Sequence, residues 1–584
     1  MLRFTLLLTT IVLAACAQVP AAQPRTVATT TASAQENAKA GETKAAPAAG
    51  EEALPNVELT RQLFYQFLMA EIAAQRGQTD AASATYLDLA KKTRDPRVAQ
   101  RATEVAVFAR RAPEALEAAQ LWLELEPSAD RARQTVAALL VNSGRLDEAK
   151  PHLRQLLVDE GDNIGQGFLQ LNSLLARHGD KQKVLALTRE LAAPYPDLAE
   201  AHFAVAQAAA NAGDDAAALA ELKRARELKP DWELAVLLEG QVLRRSSTDK
   251  ALAAYKAFLD EYPKSREVRL AYARLLVGEK RYADARAQFE QLMADNPRSA
   301  EVTVAVAMLA MQLKDYDAAE RHFRTALDQG YRDKDAVRMF LGQMEEERKR
   351  YDQAAGWYRS VTGGDQKLQA EVRYAGVLAK QGKLDEARQY LSGIATANPK
   401  QEVQVILAEA QLLREAGLNQ EAYDLLDREL KKRPADPDLL YDHAMAAERL
   451  DRMDVLEANL RELMRIKPDH AHAYNALGYS LADRGLRLDE AKALIEKALE
   501  ISPDDPFILD SMGWVKYRMG DVPGALEYLR RAYSLRPDPE IAAHLGEVLW
   551  VTGQRDEAKK VWNTALSDHP DNKVLVEAVR KFTP

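Results

Sequence analysis

A single cysteine among 584 residues excludes an internal disulfide framework, a structural zinc cluster and thiolate-held iron–sulfur centres. Aromatics make up only 7% of the chain. With alanine abundant, that is the mix of close-packed helices rather than of a β-sandwich. No long basic run occurs and the formal charge is −9, so nucleic acid is not an expected partner, because phosphate neutralisation needs clustered Lys and Arg. The catalytic signatures are missing as well. There is no Gly-x-x-x-x-Gly-Lys-Ser/Thr phosphate loop, no Gly-x-Ser-x-Gly elbow and no His-Glu-x-x-His zinc helix. His470 and His472, the one close histidine pair, would face about 200° apart on a helix, as turn or helix-start residues rather than metal ligands. Asp504 and Asp505 sit between Pro503 and Pro506, where their expected role is to cap a helix. The expectation is a non-enzyme without cofactor or metal.

The start of the chain reads as an address. Met1-Leu2-Arg3 gives a positive start, and Phe4 to Leu13 is an apolar run too short to span a bilayer as a mature helix. It ends in Leu13-Ala14-Ala15-Cys16, which resembles a bacterial lipobox. That resemblance implies removal of residues 1–15 and acylation of Cys16. With Ala at position 17 it implies attachment to the outer membrane on the periplasmic side. An ordinary signal peptide, cut at Ala15-Cys16-Ala17, is the plainer alternative. Residues 16–57 hold almost no large apolar side chains and read as a disordered tether. Its root-mean-square reach is about 35 Å.

The remainder is periodic. Turn markers fall at Pro127, Gly161, Pro196, Pro230, Pro263, Pro297, Gly330, Gly364, Pro399, Pro434, Pro468, Pro503, Pro537 and Pro570, a mean spacing of about 34 residues. That is the length of a tetratricopeptide repeat, two antiparallel helices per unit. In the unit closed by Pro537, Gly513 on the first helix and Ala525, Leu529 and Ala532 on the second occupy the repeat's small and apolar positions. Small residues let backbones approach while larger ones fill the gap between pairs. Turns such as Gly144-Arg145-Leu146-Asp147-Glu148-Ala149 predict a left-handed Gly and an Asp cap. The expected fold is all-α, an α-solenoid superhelix of about fifteen tetratricopeptide-type pairs over 58–570 with a closing helix at 571–584. The 162–196 unit departs from the pattern, with Asn172, Val184 and Thr188 at its small and aromatic positions and Gly161, Gly165 and Gly167 at its start. Ser246-Ser247-Thr248 replaces a Gly turn. Both are candidate bends, or simple drift.

In such a superhelix the first helices line the concave face, with residues three before, one after and four or five after the Gly/Ala position pointing inward. In the last units these are Tyr441 and Met445, Asn475 and Tyr479, Asp510, Trp514 and Tyr517 or Arg518, then Glu547 and Trp550. Their aromatics either form a groove for an extended peptide or partner helix, or pack against neighbouring repeats. At the other end, Leu63, Phe64, Tyr65, Phe67, Leu68 and Met69 crowd apolar residues around one helix, which either folds back on the second pair or docks a partner.

The lipobox, the tether, Leu59-Thr60-Arg61-Gln62-Leu63-Phe64-Tyr65 and the late Asp510-Ser511-Met512-Gly513-Trp514-Val515-Lys516-Tyr517-Arg518 together resemble one family. It is the large proteobacterial tetratricopeptide lipoproteins of the LbcA-like group, analogous to the smaller NlpI. The resemblance implies an adaptor for a periplasmic serine protease of the carboxyl-terminal processing family, with peptidoglycan hydrolases as delivered substrates. A scaffold lipoprotein of an envelope export or pilus-assembly machine is the alternative.

Overall fold

The computed structural model describes Pro55 and residues 57–176, 178–364 and 366–582. The expected signal peptide, Cys16 and nearly all of the tether lie outside the described residues. Among the described residues there are 31 α-helices, one short 3₁₀ turn and no strand. The helices form fifteen antiparallel pairs, from Arg61–Gln75 with Thr79–Thr93 to Pro539–Val551 with Arg555–Asp568, followed by Lys573–Phe582. Backbone contacts divide the chain into two compact units, the first ending at Tyr331 and the second beginning at Arg332. The first holds eight pairs and the second seven pairs with the closing helix.

One pair shows how the sequence builds the unit. Asp505 caps the helix Pro506–Arg518, its Oδ1 accepting from the amides of Phe507 at 2.9 Å and Ile508 at 3.1 Å. Pro506 follows, where a missing N–H costs nothing. Asp504 turns instead to the Arg531 guanidinium. Gly520 ends the helix at φ +87°, and Asp521 caps Val522–Leu535 through the amide of Gly524. The two helices touch at Gly513, where an added Cβ would lie 2.5 Å from Leu529 Cγ. Ala525, Leu529 and Ala532 are fully buried behind it.

The turn glycines Gly144, Gly382 and Gly553 take φ of +78°, +80° and +83°, as the sequence predicts. The aspartates after them do not cap. Asp147, Asp385 and Asp556 lie inside the first helical turn, and the N-cap residues Arg145, Lys383 and Gln554 make no side-chain cap bond. There the carboxylate favours the positive end of the helix dipole without bonding its amides. His470 is a cap, its Nδ1 accepting from the Ala473 amide at 3.1 Å. At the turn without glycine, Ser247 caps the helix Thr248–Glu261.

Which side of a row is inner follows from the helices that touch between pairs. In the second unit Pro506–Arg518 packs against both Ala471–Asp483 and Pro539–Val551, while the matching second helices share at most marginal contact. The first helices therefore sit on the inner side of the row. Two stretches of the first unit differ: Thr79–Thr93 packs on Ala112–Leu125, and Leu146–Asp159 on Lys181–Ala192, second helix against second helix.

Candidate polypeptide-binding surfaces

The inner face of the second unit carries the residues expected there, in unequal states of exposure. Tyr441, Met445, Asn475, Tyr479, Tyr517 and Arg518 are half-buried. Trp514 is only 7% exposed and belongs to the core. Its ring stacks on His544 from the next pair, with centroids 4.3 Å apart, and its indole N–H donates to Asp483 at 3.3 Å. Tyr517 lies against the other edge of the same ring at 5.4 Å. Trp550 is enclosed by Trp562 at 5.7 Å and Phe582 at 6.3 Å, with the Arg555 guanidinium over its face at 5.2 Å. Glu547 pairs with Lys581 at 3.2 Å. Trp514 thus packs between helices, and half-buried Trp550 stands with the tyrosines in what this face presents.

A histidine that the concave register passes over sits at the centre. His544 Nδ1 lies 2.8 Å from Asp510 Oδ2, and its Nε2 lies 3.4 Å from the Tyr479 hydroxyl. Arg518 donates to the Asp483 carbonyl and closes the group on one side. Burial works against charge on His544, but the carboxylate of Asp510, aided by Asp483 and Glu547, outweighs it and raises the imidazole above its ordinary value. Burial also pushes the Tyr479 phenol well above the usual range, so it stays neutral. Asp510 Oδ1 and Asn475 Oδ1 are buried without a hydrogen-bond partner. The sequence signal was available: His544 lies two residues before Gly546, on the side turned toward the preceding pair.

At the other end, Arg61–Gln75 begins at Thr60, whose hydroxyl accepts from the Leu63 amide at 3.2 Å. One side packs inward through Leu63, Ala70 and Ala73, and Phe67 meets the Tyr86 ring edge-on at 5.8 Å. Tyr86 in turn bonds Glu71, which also pairs with Arg101 at 3.2 Å. The opposite side stays open. Phe64, Tyr65, Leu68 and Met69 are 58%, 61%, 50% and 45% exposed. At helical spacing they form one contiguous apolar face. The helix therefore both packs on its neighbours and keeps a face that nothing among the described residues covers. Contiguous exposed apolar surface of this kind marks interaction sites.

Models of the tetratricopeptide repeat match residues 243–309, 304–369, 471–505 and 511–573. The chain is 39% identical over 488 residues to TPR repeat-containing protein PA4667 of Pseudomonas aeruginosa, covering 83% of this chain and 82% of that protein. Among solved structures, TTC0263, a thermophilic TPR protein of Thermus thermophilus, matches at 26% identity over 30% of this chain and 97% of its own, with a TM-score of 0.29. MamA 41-end from Desulfovibrio magneticus RS-1 matches at 16% identity over 29% of this chain and 96% of its own, with a TM-score of 0.25.

Proposed function

We infer, from the premise that this chain belongs to the tetratricopeptide-repeat family that includes PA4667, that it is a periplasm-facing lipoprotein adaptor. As a tetratricopeptide protein it is a scaffold for protein–protein interaction. The finer reading is that it holds a carboxyl-terminal processing protease together with peptidoglycan hydrolases and promotes their cleavage. The observation that carries it is the uncovered face of Phe64, Tyr65, Leu68 and Met69, on a chain whose second unit separately offers Tyr441, Tyr479 and Tyr517. One chain then has one surface for an enzyme and another for what the enzyme cuts. Joining two binding events on one scaffold raises effective concentration to about the millimolar range without any chemistry by the scaffold. The lipobox at Cys16 supports an outer-membrane address, where such hydrolases act.

The test is capture from a periplasmic extract by the full-length protein, compared with a Phe64→Ser/Tyr65→Ser double variant. The wild type is expected to retain a serine protease together with cell-wall hydrolases. The variant is expected to lose the protease with its helical content unchanged, because both side chains are solvent-exposed. Recovery of export machinery alone would replace this reading with the envelope-assembly one. In the same cells Cys16→Ser is expected to release the protein from membranes, and continued membrane pelleting refutes the anchor.

A further inference from the structure

The fourth helix pair interrupts the regular stacking of the first unit. A three-residue turn, Gly161–Asn163, opens with Gly161 at φ +53° and feeds the short helix Ile164–Leu175. Here the second helices Leu146–Asp159 and Lys181–Ala192 pack on each other, and the first helices Asp130–Asn142 and Ile164–Leu175 meet only marginally. The first-helix side opens into a cavity of about 270 Å³. Its floor is Leu153, Leu157 and Leu171, at 2%, 3% and 5% exposure. Gln134 and Ala138 line it from the first helix. They flank Ala137, which lies 24 residues before Gly161, the spacing that separates Gly513 from Pro537. Gln134 and Ala138 thus hold the positions three before and one after the small residue, so the cavity opens on the side of the first helices.

The chemistry of its mouth narrows the occupant. A cavity of about 150 Å³ already holds a benzene ring. A phenylalanine or leucine side chain therefore fits here with room for its own backbone. Gln134 and Gln170 are exposed and make no side-chain hydrogen bond, and the half-buried Glu160 has no ion-pair partner among the described residues. Two free amides offer donors and acceptors to a peptide backbone, and an unpaired carboxylate beside an apolar floor selects for a cation. Gly167 keeps the wall close, since an added Cβ would stand 3.2 Å from Leu157 Cδ2 and 3.1 Å from Glu160 Cγ.

We propose that this cavity is an anchor pocket for a phenylalanine or leucine side chain of an extended partner peptide, with a neighbouring lysine or arginine paired to Glu160. The proposal rests on the scaffold reading in one respect, that the face of the first helices binds polypeptide. The pocket then supplies that face with sequence preference in the first unit, apart from the tyrosines of the second.

Fluorescein-labelled heptapeptides Gly-Ser-Lys-X-Lys-Ser-Gly, with X as Phe, Leu or Ala, are titrated against the full-length protein by fluorescence polarisation. The Phe and Leu peptides are expected to bind about tenfold or more tighter than the Ala peptide, as burial of one large apolar side chain implies. Ala138→Phe, which fills the cavity, and Gln134→Trp, which plugs its mouth from an exposed position, each abolish that preference. Glu160→Gln removes the advantage of lysine over norleucine beside X. Equal binding of the three peptides by the wild type overturns the proposal, as does a preference that survives both filling variants. Capture of the protease by the wild-type protein, measured beside its peptide preference, separates the outcomes. Capture without peptide preference defeats the pocket alone, and peptide preference without any protease capture defeats the adaptor reading alone.

Discussion

Replacing His544 with alanine tests the claim that the inner face of the second unit is set by one buried charged contact. Asp510 and His544 side chains are 9% and 13% exposed, so water screens their attraction little. Asp510 Oδ1 already lacks a partner, and losing His544 would leave the whole carboxylate buried and uncompensated. Breaking a buried pair from one side costs about 3–5 kcal/mol. The lost stacking on Trp514 adds about 0.5–1.5 kcal/mol. In a repeat array this loss stays local, because each pair contacts only its neighbours. Amide hydrogen exchange is therefore the assay, read in the helices Ala471–Asp483, Pro506–Arg518 and Pro539–Val551. Protection there should fall while that of the first unit does not change.

The same contact carries a pH signature. His544 has a folded-state value raised above its unfolded value of about 6.5. Its charge contribution is therefore complete below about pH 6.5 and is lost as pH rises through the folded value. In Asp510→Asn the principal partner is gone, and only the weaker pull of Asp483 and Glu547 remains. The slope of local stability above neutral pH should flatten accordingly. A loss under about 1 kcal/mol in His544→Ala would refute the buried-pair argument, since it falls well short of the cost of an uncompensated charge. So would an unchanged slope in Asp510→Asn.

Two further substitutions probe the packing and the surface charges. Gly546→Ala would drive a methyl into the ring of Trp562, which is 1% exposed and stacked on Phe582 at 6.0 Å, so it cannot retreat. Overpacking of this kind costs about 1–3 kcal/mol. Urea unfolding should show an earlier loss of the last pair and closing helix, and an unshifted transition would refute the contact. The Arg487 guanidinium, bonded at 2.6 Å, and Arg461 hold the Glu457 carboxyl down to about 2. A depressed carboxyl stabilises above its ordinary value near 4.5 and loses that contribution as pH falls through the folded value. The melting-temperature gap between wild type and Glu457→Gln should thus be steady from pH 5 to 8 and close toward pH 2. A gap that persists at pH 2 counts against the ion pairs.

The helix pairs were legible because a 34-residue period constrains position after position: small residues such as Gly513 and Gly546 mark where the partner helix packs with no room for a Cβ. The turns were less so. Arg110, Lys280, Lys314, Lys349 and Asp451 take the left-handed conformation with no glycine to announce it, since a hydrogen-bonded helix end imposes that geometry on whatever residue arrives there. The burial of Trp514 and the partial covering of Trp550 were not readable from register, because His544 and Phe582, which lie against them, come from the following pair and the closing helix. Register states which way a side chain leaves its own helix. It does not state what the next repeat places over it.

The departures from the pattern hold a different kind of information. At the Gly/Ala position of the fourth pair stands Asn172, whose Nδ2 is buried without a hydrogen-bond partner. Neutral drift at an exposed site would not leave a polar group buried and unsatisfied, because that arrangement costs about 1–3 kcal/mol. The same pair carries glycines at 161, 165 and 167, the last set against Leu157 and Glu160, and toward the preceding pair its contact runs through the second helices. The cavity floored by Leu153, Leu157 and Leu171 opens at that place, on the side where the first helices meet only marginally. The irregular pair is thus where the proposed anchor pocket lies, and Gln134, Gln170 and Glu160 at its mouth are what the filling variants and Glu160→Gln test.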